Sequence, residues 1–259
     1  MTGALSQAGP LAVRSIFRTF RQPQVVLPGV LFPLLIYAFI SGGLGKTATK
    51  LPGFPTSSYA TFALAMPFAF TGVYATIVAG GQLGEDVQTG FIRRLSLTAT
   101  GSVTVLVGQL AGVMVFAVVQ AAVFLGVGLA AGAHVQAGVG GALVLVALAA
   151  FNAAVLGAVG LMAALRTGSG QAVQGLLPVL MALMFLASLL LPRDLIRAGW
   201  FRAIATYNPL SYLIEAPRSL LVQGWTAQPL VLGLVVGASI LVGALLLTAG
   251  SLRALSIRR

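Results

Sequence analysis

The sequence predicts an all-α membrane protein with six transmembrane helices preceded by an N-terminal interfacial helix. Its composition is 58 % hydrophobic and 7 % charged, with a mean hydropathy of +1.02, whereas a soluble domain carries roughly a quarter charged residues. Between Val103 and Leu165 there is no Asp, Glu, Lys or Arg. A helix needs about 20 apolar residues to cross a bilayer, so this run predicts two crossings joined at the Gly-rich, polar residues 132–136.

The rest of the chain divides into similar apolar runs separated by polar ones, and we interpret all 259 residues as one membrane domain. The predicted spans cover residues of about 25–44, 58–82, 103–131, 138–165, 171–191 and 228–250. Residues 84–98 form a charged segment between the second and third spans, and residues 192–225 form an aromatic, re-entrant or interfacial segment before the last span.

The first helix, residues 5–22, carries Arg14, Arg18 and Arg21 on one face and apolar side chains between them. Such a helix is expected to lie in the headgroup plane of the membrane. The alternative is an ordinary basic flank of the first span. With the N-terminus inside, nine of the 15 Lys and Arg residues fall on the inside and six on the outside, which favours cytoplasmic termini.

Composition also restricts the chemistry. The chain has no cysteine and one histidine, so we expect no disulfide and no metal site. The net charge of +11 is dispersed beside apolar spans, which indicates contact with membrane lipids and not with nucleic acid. Residues 40–47 end like a phosphate-binding loop but lack its first glycine and follow an apolar span. We therefore expect no ATP site and no catalytic activity in this chain.

The charged segment 84–98 is the most informative motif. A charge at mid-bilayer costs about 2.5–3.5 kcal/mol on insertion scales, so a segment with four charges is predicted to lie in the cytoplasm. Phe91 and Leu95 make an apolar knob beside Arg94, which suits docking of a soluble partner. The alternative is a solvated loop with a routine basic pair.

This segment resembles the cytoplasmic signature of ABC-2 type permeases, specifically the daunorubicin-resistance-like group. The residues that match are Glu85, Asp86, Gly90, Phe91, Arg94 and Leu95. A second stretch, residues 207–218, is similar to the element that precedes the last span of that family. Its matching residues include Asn208, Pro209, Tyr212, Glu215 and Arg218, and Glu215 and Arg218 have the spacing of a helical pair.

The resemblance implies the transmembrane domain of a type V ABC exporter, located in the plasma membrane. The permease pairs with a second permease chain, as a homodimer or a heterodimer, and moves an amphipathic drug or lipid-like molecule. ATP and Mg are bound by a separate ATPase subunit. Residues 84–98 are the coupling helix that contacts this subunit. An ATPase-independent secondary transporter or channel is the alternative, although such carriers usually need an ionisable residue within the membrane, and none falls inside the predicted spans.

Two stripes are candidates for the substrate pathway, and both are rich in Met and aromatic side chains, which adapt to varied apolar ligands. They consist of Phe62, Met66, Phe70 and Tyr74 in the second span and of Met181, Met184, Phe185 and Ser188 in the fifth. The alternative is that they face lipid or neighbouring helices. We expect the polar residues inside the spans to form hydrogen bonds between helices; they are Gln109, Gln120, Asn152, Gln171 and Gln174.

Overall fold

The computed structural model describes residues 2–95 and 102–257, and this part of the chain is a helical bundle without strands. The helices are α1 Thr2–Phe20, α2 Pro23–Ala48, α3 Tyr59–Ala63, α4 Ala65–Gln88, α5 Phe91–Leu95, α6 Ser102–Ala130, α7 Gly138–Thr167, α8 Gly170–Gln174, α9 Leu177–Phe185, α10 Gly199–Tyr207, α11 Pro209–Val222 and α12 Ala227–Ile257. A short 3₁₀ turn covers Arg193–Leu195. The predicted all-helical membrane fold is therefore confirmed.

Five stretches among the described residues are long and apolar enough to cross a membrane. They are Pro23–Gly45, Tyr59–Gln88, Thr104–Ala130, Gly138–Thr167 and Ala227–Ser251. The fifth predicted span, 171–191, differs from a continuous helix because it is interrupted between α8 and α9, at Gly175 and Leu176. Helical structure there covers only the shorter apolar stretch Gly170–Phe185.

Glycines and caps place the turns between helices. Gly132 and Gly168 end α6 and α7 with φ of +82° and +65°, a backbone region that glycine adopts without the steric cost of a Cβ. The side chains of Ser58, Ser169 and Asn208 accept hydrogen bonds from backbone N–H groups at the starts of α3, α8 and α11. These polar side chains satisfy donors that the first helical turn leaves free.

Helix α4 is the centre of the bundle, and most of its residues are buried. It packs most extensively on α7, along a row of small residues at every fourth position, Gly72, Thr76 and Gly80, and the next residue of this row, Gly84, lies against the start of α8. A Cβ at Gly80 would lie 2.6 Å from the carbonyl oxygen of Gly160 on α7, and Thr76 donates to the Leu156 carbonyl at 2.8 Å. Small residues permit this close approach of the two backbones.

The bundle has two polar ends, which we name after their acidic residues. At the Asp86 end, α1, the last turn of α4, the first turns of α6 and the start of α8 meet. At the Glu215 end, α3, the 131–137 turn, residues 188–193 and α11 meet. Helices α2 and α12 pack on the outside and remain largely exposed.

The path of residues 170–190 follows from these contacts. The backbone at Gly170 lies against Gly84 at the Asp86 end, and the Leu190 carbonyl accepts a hydrogen bond from the Tyr59 hydroxyl at the Glu215 end. The interrupted stretch thus runs antiparallel to α3 and α4 over the same height of the bundle.

Candidate functional site

The Asp86 end contains a buried carboxylate held by two helices other than its own. Asp86 is 2 % exposed. Arg14 donates to its Oδ1 at 2.8 Å and to its Oδ2 at 3.1 Å. Arg18 donates to Oδ1 at 2.8 Å, and the Gln109 amide donates to Oδ2 at 2.7 Å. A buried charge is costly unless it is paired and hydrogen-bonded, and here both carboxylate oxygens have two donors each.

Glu85 extends this ion-pair network to the surface. Its carboxylate, 61 % exposed, accepts a hydrogen bond of 2.5 Å from Arg18. Arg18 therefore bridges both acidic residues. Hydrogen bonding to Asp86 raises the pKa of Arg14 above its usual value, so Arg14 stays charged at any physiological pH.

Further contacts fix α1 in place. The Ser15 hydroxyl donates to the Gln109 carbonyl at 2.9 Å, and the Gln82 amide donates to the Thr19 hydroxyl at 3.2 Å. The Arg14 guanidinium also lies 4.1 Å from the centre of the Phe91 ring, a distance at which a cation is attracted to the aromatic face. We call Arg14, Arg18, Glu85, Asp86 and Gln109, with Phe91, the inner cluster.

The Glu215 end contains a second ion-pair network. Arg193 donates to both carboxylate oxygens of Glu215, at 2.6 and 2.5 Å, and the Ser188 hydroxyl donates to Glu215 Oε1 at 2.7 Å. This bidentate geometry is the strong form of an Arg–carboxylate pair. Arg193 also lies over the Tyr212 ring at 4.3 Å, so it ties the 3₁₀ turn to α11.

Arg218 is the most buried cation of the described residues, and it binds backbone instead of an acid. It donates to the carbonyls of Ser188 and Leu189, the latter at 2.7 Å, and lies 4.0 Å from the centre of the Phe62 ring. Burial lowers the pKa of Arg218 to about 10, so it remains charged at neutral pH. It holds the irregular segment that follows α9 against α3 and α11.

The family follows from a comparison that covers both ends of the bundle. A family model described as ABC-2 type transporter matches residues 6–222, which include the inner cluster and the Glu215 network. The chain belongs to the ABC-2 type transporter family. A comparison with curated proteins found no match. The permease assignment is thus confirmed, and the daunorubicin-resistance-like subtype remains a prediction.

Within this ABC-2 chain, the segment predicted to be a coupling helix differs from the single helix expected over 84–98. Helix α4 continues to Gln88, the chain turns at Thr89 and Gly90, and α5 follows. Gly90 has φ of +70°, which breaks the helix. Residues 96–98 lie outside the described residues. Asp86 is buried instead of projecting into water, because two arginines and an amide compensate its charge.

The inner cluster brings together five of the nine residues predicted for coupling and for the interfacial helix. Arg94 is exposed on α5, Gly90 forms the turn, and the side chain of Leu95 is outside the described part. Arg21 lies apart, 5.8 Å from the centre of the Phe17 ring. Sequence reasoning missed Gln109 as a partner of Asp86.

It also missed what the pair Gly108 and Gly112 contacts. A Cβ at Gly108 would lie 2.6 Å from the Leu11 Cβ, and one at Gly112 would overlap Ser15. The four-residue glycine spacing was visible in the sequence, and its partner in the ABC-2 chain is α1.

The second matching stretch of the ABC-2 chain, residues 207–218, is placed as follows. Asn208 caps α11 and also donates to the Leu183 carbonyl at 2.7 Å, and Pro209 is the first residue of that helix. Tyr212 donates to the Thr206 carbonyl. The expected Glu215–Arg218 pair is replaced: Glu215 pairs with Arg193, and Arg218 donates to the backbone carbonyls of Ser188 and Leu189.

Most side chains of the two predicted pathway stripes are buried within the ABC-2 chain itself. Phe62, Met66 and Phe70 are at most 1 % exposed and Tyr74 is half-buried, which favours the alternative of packing between helices. In the fifth stretch, Met184 and Ser188 are buried, Met181 is intermediate and Phe185 is exposed.

Polar residues within the spans behave in two ways. Gln120 donates to the Gly29 carbonyl at 2.7 Å and Asn152 to the Leu213 carbonyl at 3.3 Å, as expected for links between helices. Gln171 and Gln174 are exposed. The cavity beside Asn152 and Met184 holds no more than a single water.

No group of three or more His, Asp or Glu side chains with metal-site geometry occurs in the part of the ABC-2 chain that the structure describes. Its acidic side chains are instead engaged with arginines at the two polar ends.

Proposed function

We propose that the chain is the permease subunit of an ABC exporter, driven by ATP hydrolysis in a separate ATPase subunit that binds ATP and Mg. The observation that carries the proposal is the inner cluster. It locks α1 to the end of the central helix α4. Its member Glu85 and the neighbouring Arg94 are exposed and Phe91 is partly exposed, so all three are accessible to a partner.

The geometry supports a route for movement. A partner that displaces the α4–α5 turn acts directly on α4, because Glu85 and Asp86 belong to its last turn. Helix α4 then carries α7 with it through the close contacts at Gly80 and Gly160. The permease itself performs no chemistry in this scheme.

We also propose six crossings, with both termini in the cytoplasm. The continuous path of residues 170–190 from Gly84 to Tyr59 supports counting the interrupted stretch as a crossing, since backbone breaks are tolerated where protein surrounds them. The alternation that results puts the Asp86 end on the cytoplasmic side of the plasma membrane and the Glu215 end outside.

The proposed substrate is amphipathic or lipid-like, and its route runs between two permease chains. Large apolar side chains are exposed on the unburied faces of α2 and α9, for example Leu35, Phe39 and Phe185. Such side chains suit contact with the apolar part of an amphipathic substrate. The secondary-transporter alternative is less well supported, because the buried carboxylate of Asp86 is fully engaged by its hydrogen-bond donors and so belongs to a structural ion-pair network.

The proposal is tested by isolating the chain together with the ATPase subunit that co-purifies with it and measuring ATP hydrolysis in nanodiscs. Phe91→Ala and Glu85→Ala are expected to reduce the substrate-stimulated hydrolysis at least severalfold. Tyr207→Ala, a control at the opposite end with a side chain 86 % exposed, is expected to retain it. Wild-type stimulation in both α4–α5 variants would refute the coupling assignment.

Orientation has its own test, because the chain lacks cysteine. A single cysteine at Thr89 is expected to react with an impermeant maleimide only in inverted vesicles, and one at Tyr207 only in intact cells. Labelling of Thr89→Cys from outside would exclude the proposed orientation.

A further inference from the structure

The exposed surface of α1 contains a basic groove whose positive charge is not fully neutralised by the inner cluster. The groove is lined by Arg14, Phe17, Arg18, Arg21 and Gln22. Arg14 and Arg18 reach it from the side of α1 that faces α4, and Arg21 is exposed to solvent.

Charge around this groove is unbalanced. The whole chain has four acidic residues, all with described side chains, and none of them lies within ion-pair distance of Arg21. Three arginines therefore face two carboxylates, those of Glu85 and Asp86. The excess positive charge favours an anion in the groove.

The position of the groove indicates which anion. Gln22 immediately precedes Pro23, the first residue of a candidate membrane span, so the groove lies where that span meets the headgroups. Val13, Phe17 and Phe20 are exposed beside it, at 52, 58 and 38 %. An apolar ridge next to a cluster of guanidinium groups complements acyl chain and phosphate together.

We infer that the α1 groove is a binding site for the phosphate headgroup of one anionic phospholipid, with Arg21 as its principal ligand and Phe17 against the lipid chain. An acidic surface of a soluble protein would match the arginines but not the exposed apolar ridge. This site goes beyond the proposed transport function and does not depend on it.

The test uses the full chain purified from membranes and reconstituted with spin-labelled phosphatidylglycerol or phosphatidylcholine, with bound lipid measured by electron paramagnetic resonance. The wild-type protein is expected to retain phosphatidylglycerol preferentially. Arg21→Gln is expected to weaken that preference about fivefold, the effect of one basic charge near an anionic membrane surface, and Arg21→Lys to restore it. Arg166→Gln is the control, since Arg166 is also exposed at the Asp86 end but lies outside the groove.

Three results would overturn the inference. Equal losses in Arg21→Gln and Arg166→Gln would mean diffuse attraction without a site. Displacement of phosphatidylglycerol by about 10 mM inorganic phosphate would mean that the groove binds a free anion instead of a lipid. Unchanged lipid retention, with weaker co-purification of the ATPase in Arg21→Gln, would mean a protein-docking site.

Discussion

Replacing Asp86 by Asn tests the inner cluster most directly, because this substitution keeps the shape of the side chain, removes its charge and turns one acceptor oxygen into an NH₂ donor. Two guanidinium groups then lose their common counter-ion. Gln109 does not add to the cost, since its Oε1 has no hydrogen-bond partner. A flip of its amide therefore restores a hydrogen bond to the new Asn.

The expected loss of folding free energy depends on how well water can solvate the two arginines once the charge of Asp86 is gone. Removing one member of a fully buried ion pair costs about 3–5 kcal/mol. The side chains of Arg14 and Arg18 are 38 and 18 % exposed, and Arg18 keeps Glu85, so we expect about 2 kcal/mol, below the fully buried case. For a protein of this size that corresponds to a fall in Tm of about 4–8 °C.

Glu85→Gln is the matched control, one residue away and chemically the same change. Its side chain is 61 % exposed, and surface ion pairs contribute about 0–1 kcal/mol. Thermal unfolding in detergent compares the two variants. Hydrogen exchange of peptides from residues 9–21 shows in addition whether α1 opens in Asp86→Asn. Equal shifts in Tm for the two variants, or unchanged exchange in α1, would refute the account of the cluster.

Two further predictions use matched pairs. Gly112→Ala is expected to destabilise the chain by about 1–3 kcal/mol, the range for overpacking, because its methyl group meets the α1 backbone. Gly126→Ala on the same helix has open space and is expected to be neutral or slightly stabilising; similar Tm values for the two would disprove the close contact. Arg218→Gln is expected to cost more than 2 kcal/mol through two unsatisfied buried carbonyls, and Arg202→Gln, at an exposed ion pair, less than about 1 kcal/mol, again measured by thermal unfolding.

Most spans were predictable because the requirement that creates them is local in sequence. A lipid-facing helix must be apolar along its whole length and must satisfy its own backbone, and hydropathy records this directly. The ends of α6 and α7 were predictable for a similar reason, since Gly132 and Gly168 punctuate the apolar run.

The burial of Asp86 was not predictable from its own segment. The cost of inserting an unpaired charge into the membrane correctly predicts that such a charge lies in water. Arg14, 72 residues earlier in the chain, offsets that cost by pairing with Asp86. A single sequence with 15 basic residues and four acidic ones does not say which of them pair. The Glu215–Arg218 spacing misled in the same way, because a local partner was assumed where Arg193 is the actual one.

The small residues of α4 are a packing signal that the sequence contains and that the prediction did not use. The stripe formed by Phe62, Met66 and Phe70 drew attention because of its chemistry, yet these side chains fill the core. The small-residue row at Gly72, Thr76, Gly80 and Gly84 has the same four-residue period. Its first three members determine how closely α4 approaches α7.

Both polar ends contain residues of the same two consecutive helices, α3 and α4, which therefore connect one end to the other. Phe62 on α3 lies under Arg218, and Asp86 lies in the last turn of α4. Helices α2 and α12 are largely exposed and have less contact through which to transmit force. We therefore expect a disturbance of the Asp86 end to reach the Glu215 end through α3 and α4. The hydrogen-exchange experiment on Asp86→Asn also tests this coupling, because peptides from residues 209–222 should exchange faster together with α1. Faster exchange in α1 alone would show that the two ends are independent.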